Sequence, residues 1–93
     1  MSGVEDWDAI TRRLILAEIR LGLTFARLAE THYAYNKGAA GHHAYARALE
    51  AFTNAERRLD AAEAQGRVFG DLRAKLRILR QTLARCDQDE VAA

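Results

Sequence analysis

Proline is absent from the 93 residues of this chain, and cysteine occurs only once. Because proline ends helices and shapes loops, a chain without it is predicted to be mostly helical with short connections. The single cysteine, Cys86, has no second cysteine with which to form an intramolecular disulfide. No apolar run approaches the roughly 18 residues of a membrane-spanning helix, so we expect no membrane partner.

A strong net charge is also lacking, since the formal charge is +1 and the pI is near 8.0. A nucleic-acid-binding domain usually carries a larger basic excess. The acidic N-terminus is unlike a secretory signal, which together with the single cysteine favours a cytoplasmic location. Abundant alanine, and arginine in place of lysine, suit helices and indicate a bacterial source with a GC-rich genome.

The first third of the chain carries a regular apolar pattern. Apolar or small residues recur at alternating spacings of three and four, which is a heptad pattern. We call these residues the heptad track: Trp7, Ile10, Leu14, Ala17, Leu21, Thr24, Leu28, Thr31 and Tyr35. A second track lies on the same segment: Ile15, Ile19, Gly22, Ala26, Ala29 and Tyr33. The pattern predicts one straight helix about 45 Å long.

Two further helices are predicted. We expect helix one over about 6–36, helix two over about 42–65 and helix three over about 71–86. The inward positions of helix two are predicted to be Tyr45, Ala48, Phe52, Ala55, Leu59 and Ala62. Those of helix three are predicted to be Leu72, Leu76, Leu79, Leu83 and Cys86, with Ile78 alongside.

The segment between Gly66 and Asp71 is interpreted as a tight turn rather than continuous helix, because the apolar track slips there. Val68 and Phe69 are then expected to plug the end of the bundle. The predicted fold is a single all-α domain, an antiparallel up-down-up three-helix bundle with a long first helix. It is expected either alone or doubled into a dimer.

The surplus of apolar residues on helix one carries the main functional prediction. Two shorter helices are not expected to cover Leu16, Leu23 and Phe25, and uncovered apolar patches mark interfaces. The candidate interaction surface comprises Leu16, Leu23, Phe25, Tyr33 and Tyr35. We therefore predict a non-enzymatic interaction or assembly module that associates with itself, or with another protein, through helix one.

An arginine ridge on helix three supports the alternative function. Residues 67–86 carry a net charge of +5, and Arg73, Arg77 and Arg80 follow helical spacing. Such a ridge could bind nucleic acid or another anionic ligand through phosphates. No aromatic residues are interleaved with these arginines for base stacking, so a solvated charged face is the plainer interpretation.

No pattern of catalytic, metal-ligating or cofactor-binding residues stands out. His42 and His43 are adjacent, so on a helix they point about 100° apart, and no His-x-x-x-His pair occurs. No glycine-rich phosphate loop is present, and Cys86 lies on an apolar track, where it is typical of a core residue. We predict no catalytic site, no metal and no cofactor.

A short part of the chain resembles a known helical hairpin. The pattern Ala48-x-x-x-Phe52-x-x-Ala55 resembles the second helix of a tetratricopeptide repeat, and Leu28-Ala29-x-x-His32-Tyr33 looks like its first helix. The two halves are farther apart here, and the closing proline is absent. The chain is also similar to the three-helix microtubule-interacting-and-transport domain. The resemblance implies binding of a peptide or helix in a groove between helices.

Overall fold

Three α-helices joined by short connections make up the protein, in a computed structural model that describes residues 6–92 and the side chains of residues 7–88. Helix α1 spans Asp6–Ala34, α2 spans Gly38–Ala64 and α3 spans Gly70–Ala92. The bundle measures 53 × 20 × 16 Å, and α1 packs against both other helices, most extensively against α2. The predicted all-α three-helix bundle is thereby confirmed. Within residues 6–92, no helix has the length and hydropathy that a bilayer-spanning segment requires.

The helix bounds differ from the predicted ones at several ends. Helix α2 begins at Gly38 instead of 42, since Ala39 and Ala40 are strong helix formers and continue the helix backwards. Helix α3 continues to Ala92 instead of ending at 86. With 29 residues in α1 and 23 in α3, α1 is six residues longer than α3, a smaller excess than the predicted bounds imply.

Both connections close with the same backbone motif. Asn36 (φ 59°) and Gly66 (φ 83°) adopt the left-handed conformation after α1 and α2. The N–H of Lys37 donates to the carbonyl of His32 over 2.8 Å, and the N–H of Arg67 donates to the carbonyl of Ala62 over 3.0 Å. These six-to-one hydrogen bonds are those of a Schellman cap. The predicted turn between α2 and α3 is therefore present.

Only one of the two residues expected to plug the end of the bundle does so. Phe69 is buried, and the guanidinium carbons of Arg12 and Arg67 lie 5.4 and 5.7 Å from its ring centroid. Val68 is 82% exposed. The prediction for Val68 was wrong, because its side chain lies on the solvent side of the turn while that of Phe69 faces the core.

The contact between α1 and α2 is built from small residues. All members of the second track are buried on α1. Opposite them, α2 buries Gly41, Ala44, Ala48, Ala51, Ala55, Leu59 and Ala62, while Tyr45 and Phe52 pack at the margin. A Cβ atom added at Gly22 would lie 2.6 Å from a δ-carbon of Leu79. The small residues thus let all three helices approach closely.

Helix α3 contributes the larger part of the aliphatic core. Leu72, Leu76, Leu79, Leu83 and Cys86 are all buried, as predicted. The Cys86 thiol donates to the carbonyl of Ala26, 3.3 Å away. Ile78 is exposed, and its predicted place beside the core was wrong, because it lies about 100° around the helix from Leu79.

Candidate interaction surface on helix α1

The heptad track lies on the outside of the bundle over its whole length. Its six large side chains are between 39% (Ile10) and 73% (Tyr35) exposed, and Ala17, Thr24 and Thr31 between them are exposed as well. Counting 3.6 residues per turn, the heptad track and the buried second track are centred about 140° apart on α1. Helices α2 and α3 cover the second track, which leaves the heptad track as one continuous apolar stripe.

The threonine hydroxyls within this stripe already have hydrogen-bond partners. The hydroxyls of Thr24 and Thr31 donate to the carbonyls of Arg20 and Arg27, one helical turn earlier, over 3.0 and 3.1 Å. A hydroxyl that is already bonded can be covered without leaving an unsatisfied donor. The threonines therefore present methyl groups, so the stripe is apolar from Trp7 to Tyr35.

The predicted interaction surface needs correction. Leu16, Leu23 and Phe25 are partly buried and pack against the core, and Arg47 of α2 lies over the Phe25 ring. Tyr33 is buried, and its hydroxyl lies 2.9 Å from Nδ1 of His42 on α2. Of the five predicted residues, only Tyr35 belongs to the exposed stripe. The uncovered apolar surface of α1 exists, but other residues form it.

The two borders of the stripe differ in charge. On one side, Arg13, Arg20 and Arg27 recur every seven residues, are exposed, and form no ion pair with any described residue. The other border comprises the partly buried Thr11, Glu18, Phe25 and His32. One carboxylate oxygen of Glu18, Oε2, is buried and has no hydrogen-bond partner among the described residues.

The arginine ridge of α3 is engaged by carboxylates of α2. Arg73 donates to Asp60 and Glu63 over 2.9 and 2.6 Å. These hydrogen bonds, with that to Glu63 contributing most, raise the pKa of Arg73 above its ordinary value. Arg80 donates to Glu56 over 3.1 Å and lies 5.6 Å from the Phe52 ring centroid. Only Arg77 of the three has no ion pair within the described residues, so the ridge mainly links α3 to α2.

Two other arginines of the basic segment 67–86 connect α3 and the turn before it to α1. Arg67 donates to the carboxylate of Asp8 over 2.6 Å and to the hydroxyl of Thr11 over 2.7 Å. Arg85 donates to Glu30 over 3.3 Å. These ion pairs place most of the positive charge near residue 67 and on α3 opposite carboxylates of the same chain.

Candidate ligands for a metal lie apart. Within the described side chains, no three histidine, cysteine or acidic residues lie close enough together to hold an ion. His42 contacts Tyr33 edge to face, with ring centroids 5.6 Å apart, and Cys86 is in the core. Comparison with protein families, with curated proteins and with solved structures finds no match to this chain. The resemblance to helical repeat hairpins stays a prediction.

Proposed function

We propose that the protein is a non-enzymatic assembly module that pairs with a second copy of itself through the heptad track. The observation that carries the proposal is that this track is exposed without a break over the length of α1. Alternating three- and four-residue spacing is the pattern by which one helix packs along another. The second track has the same spacing and is covered by α2 and α3, so the heptad track is left for a helix outside the chain.

The size of the stripe is sufficient for a dimer. With about half of each of six large side chains exposed, and about 200 Å² per side chain, the stripe presents roughly 500–600 Å² of apolar surface. Pairing two copies buries roughly 1,000–1,200 Å² from these residues alone, and the small and flanking residues add to it. That total reaches the range of specific interfaces.

The shape of the stripe supports an identical helix as the occupant. Ile10, Arg13 and Leu14 line a shallow depression on the surface of α1. Residues with these spacings form the hole into which a knob from a facing helix inserts. The same helix that offers the holes also offers the knobs, among them Leu21 and Leu28. A second copy therefore supplies both halves of the contact.

Substitution of one central residue tests the proposal against a matched control. Leu21→Glu places a charge in the middle of the stripe, and we expect it to weaken dimerisation by at least about 100-fold, since a buried unpaired charge is costly. Leu49→Glu makes the same change at a similarly exposed leucine on α2 and should leave the mass unchanged. Light scattering during gel filtration measures both. A wild-type chain that stays monomeric at high micromolar concentration would contradict the proposal.

The second candidate function is anion or nucleic-acid binding. It is supported by the depression that Arg73, Arg77 and Arg80 line with Leu76. Replacing all three arginines with glutamine tests it, with a single-stranded oligonucleotide titrated at low and high salt. If wild-type protein binds with steep salt dependence and the triple variant does not, the ridge is the site.

A further inference from the structure

We infer that the two copies lie parallel and in register, with Arg13 of each copy paired with Glu18 of the other. This inference rests on the proposed self-association and adds the orientation of the two chains. The apolar stripe itself does not decide the orientation, because its leucines and small residues can face each other in either direction. The charged borders of the stripe distinguish the two arrangements.

The basic border of the stripe disfavours the antiparallel arrangement. Arg13, Arg20 and Arg27 occupy equivalent heptad positions, all exposed and without an ion pair to any described residue. When two heptad helices run antiparallel, like borders face each other. Arg20 of one copy would then lie near Arg20 of the other, and Arg13 near Arg27. Like charges at such short separation repel and select against the arrangement.

The opposite border of the stripe favours the parallel arrangement. In parallel pairs, a residue of the basic border faces the residue five positions later on the other copy. Arg13 then faces Glu18, while Arg20 and Arg27 face Phe25 and His32. In this arrangement no border arginine faces an arginine of the other copy, and two symmetric Arg–Glu pairs form per dimer.

Glu18 is the residue that an outside cation would satisfy. Its Oε2 atom is buried without a hydrogen-bond partner among the described residues, and a buried polar atom without a partner is unfavourable. The side chain as a whole is only partly buried, and the proposed pairing requires a rotamer that turns the carboxylate toward the stripe. The guanidinium of a second copy's Arg13 supplies the missing donors there.

A charge-reversal cycle tests the pairing. We expect Arg13→Glu and Glu18→Arg each to weaken dimerisation about tenfold, because each variant creates two like-charge pairs across the dimer. The double variant R13E/E18R should return the dissociation constant to within about threefold of wild type. Arg77→Glu reverses the same charge on α3 and should change little. Single variants that weaken the dimer without rescue in the double variant would overturn the pairing.

Cysteine cross-linking tests the orientation separately. Leu21→Cys lies at the centre of the stripe and should form an interchain disulfide whichever way the copies run. Thr31→Cys brings two thiols together only in the parallel dimer, since an antiparallel one separates them by about 25 Å or more along the axis. Native Cys86 is fully buried, and the unsubstituted chain is the control.

The outcomes separate the two proposals. Cross-linking at both positions supports the parallel dimer. Cross-linking at residue 21 without cross-linking at residue 31 overturns the orientation and leaves the self-association standing. If neither cysteine variant cross-links and the wild-type chain has the mass of a monomer, the self-association itself is overturned.

Discussion

Leu28 offers the most closely controlled test of the exposed stripe. It is 42% exposed in the single chain, so a second copy has that fraction left to cover. Full burial of a leucine contributes about 1.5–3 kcal/mol. Covering the exposed part in both copies is therefore worth about 1.3–2.5 kcal/mol per dimer, and Leu28→Ala should raise the dissociation constant by up to about 8- to 70-fold.

Leu49 on α2 provides the control for this substitution. It is 43% exposed, nearly the same as Leu28. The guanidinium carbon of Arg47 is 6.0 Å from the Phe25 ring centroid, beside the stripe. Leu49 lies about 160° around α2 from Arg47 and so faces away from the stripe. Leu49→Ala should therefore leave the dissociation constant unchanged. Analytical ultracentrifugation over a dilution series measures both variants, and equal effects at the two positions would refute the reasoning.

Three further predictions concern the bundle itself. Arg12 donates two hydrogen bonds to Asp71, which hold the pKa of that carboxyl below its ordinary 3.8. A lowered carboxyl pKa stabilises the fold above pH 3.8, and this stabilisation is lost as the pH falls through the lowered pKa. The difference in unfolding free energy between wild type and Asp71→Asn, measured with denaturant, should therefore shrink in acid. A difference that does not change with pH would contradict this. Gly22→Ala should lower the unfolding free energy by about 1–3 kcal/mol in thermal unfolding, because the new Cβ would lie 2.6 Å from Leu79; an unchanged midpoint would show that Leu79 moves freely. Arg73→Gln should cost about 1 kcal/mol in urea unfolding and Arg77→Gln almost nothing, since only Arg73 bonds α2 carboxylates; equal costs would argue against that link.

The fold could be predicted from the sequence because the helical spacing of its apolar residues and the residues that end its helices are clear. The leucines of α3 follow helical spacing, and Leu72 and Leu79 are buried as predicted. Gly66 ends α2 in the left-handed conformation that a glycine after an apolar run indicates. The start of α2 was harder to place, because Ala39 and Ala40 suit a helix as well as a short loop.

The position of the exposed stripe was not accessible in the same way. Both tracks of α1 are apolar, and the larger side chains of the heptad track would by their hydrophobicity be expected in the core. Close approach decided otherwise: Gly22, Ala26 and Ala29 allow α1 to pack near the alanine face of α2, which leucines would hold apart. The alanine content of α2 is the signal in the sequence that identifies the small-residue track as its partner.

The arginine ridge shows a second limit of sequence reasoning. The spacing of Arg73 and Arg80 reveals a positive row, but their carboxylate partners lie between 10 and 24 residues earlier in the chain. Only the antiparallel packing of α2 and α3 brings these charges together. A ridge that looks free in the sequence is thus largely engaged within the fold.

The mass of the unmodified chain in solution tests the central claim most directly. Sedimentation equilibrium from low to high micromolar concentration measures it without any substitution. The account predicts a concentration-dependent rise from 10.4 kDa to twice that mass, with no larger species. A mass that stays at 10.4 kDa across the whole range would contradict it.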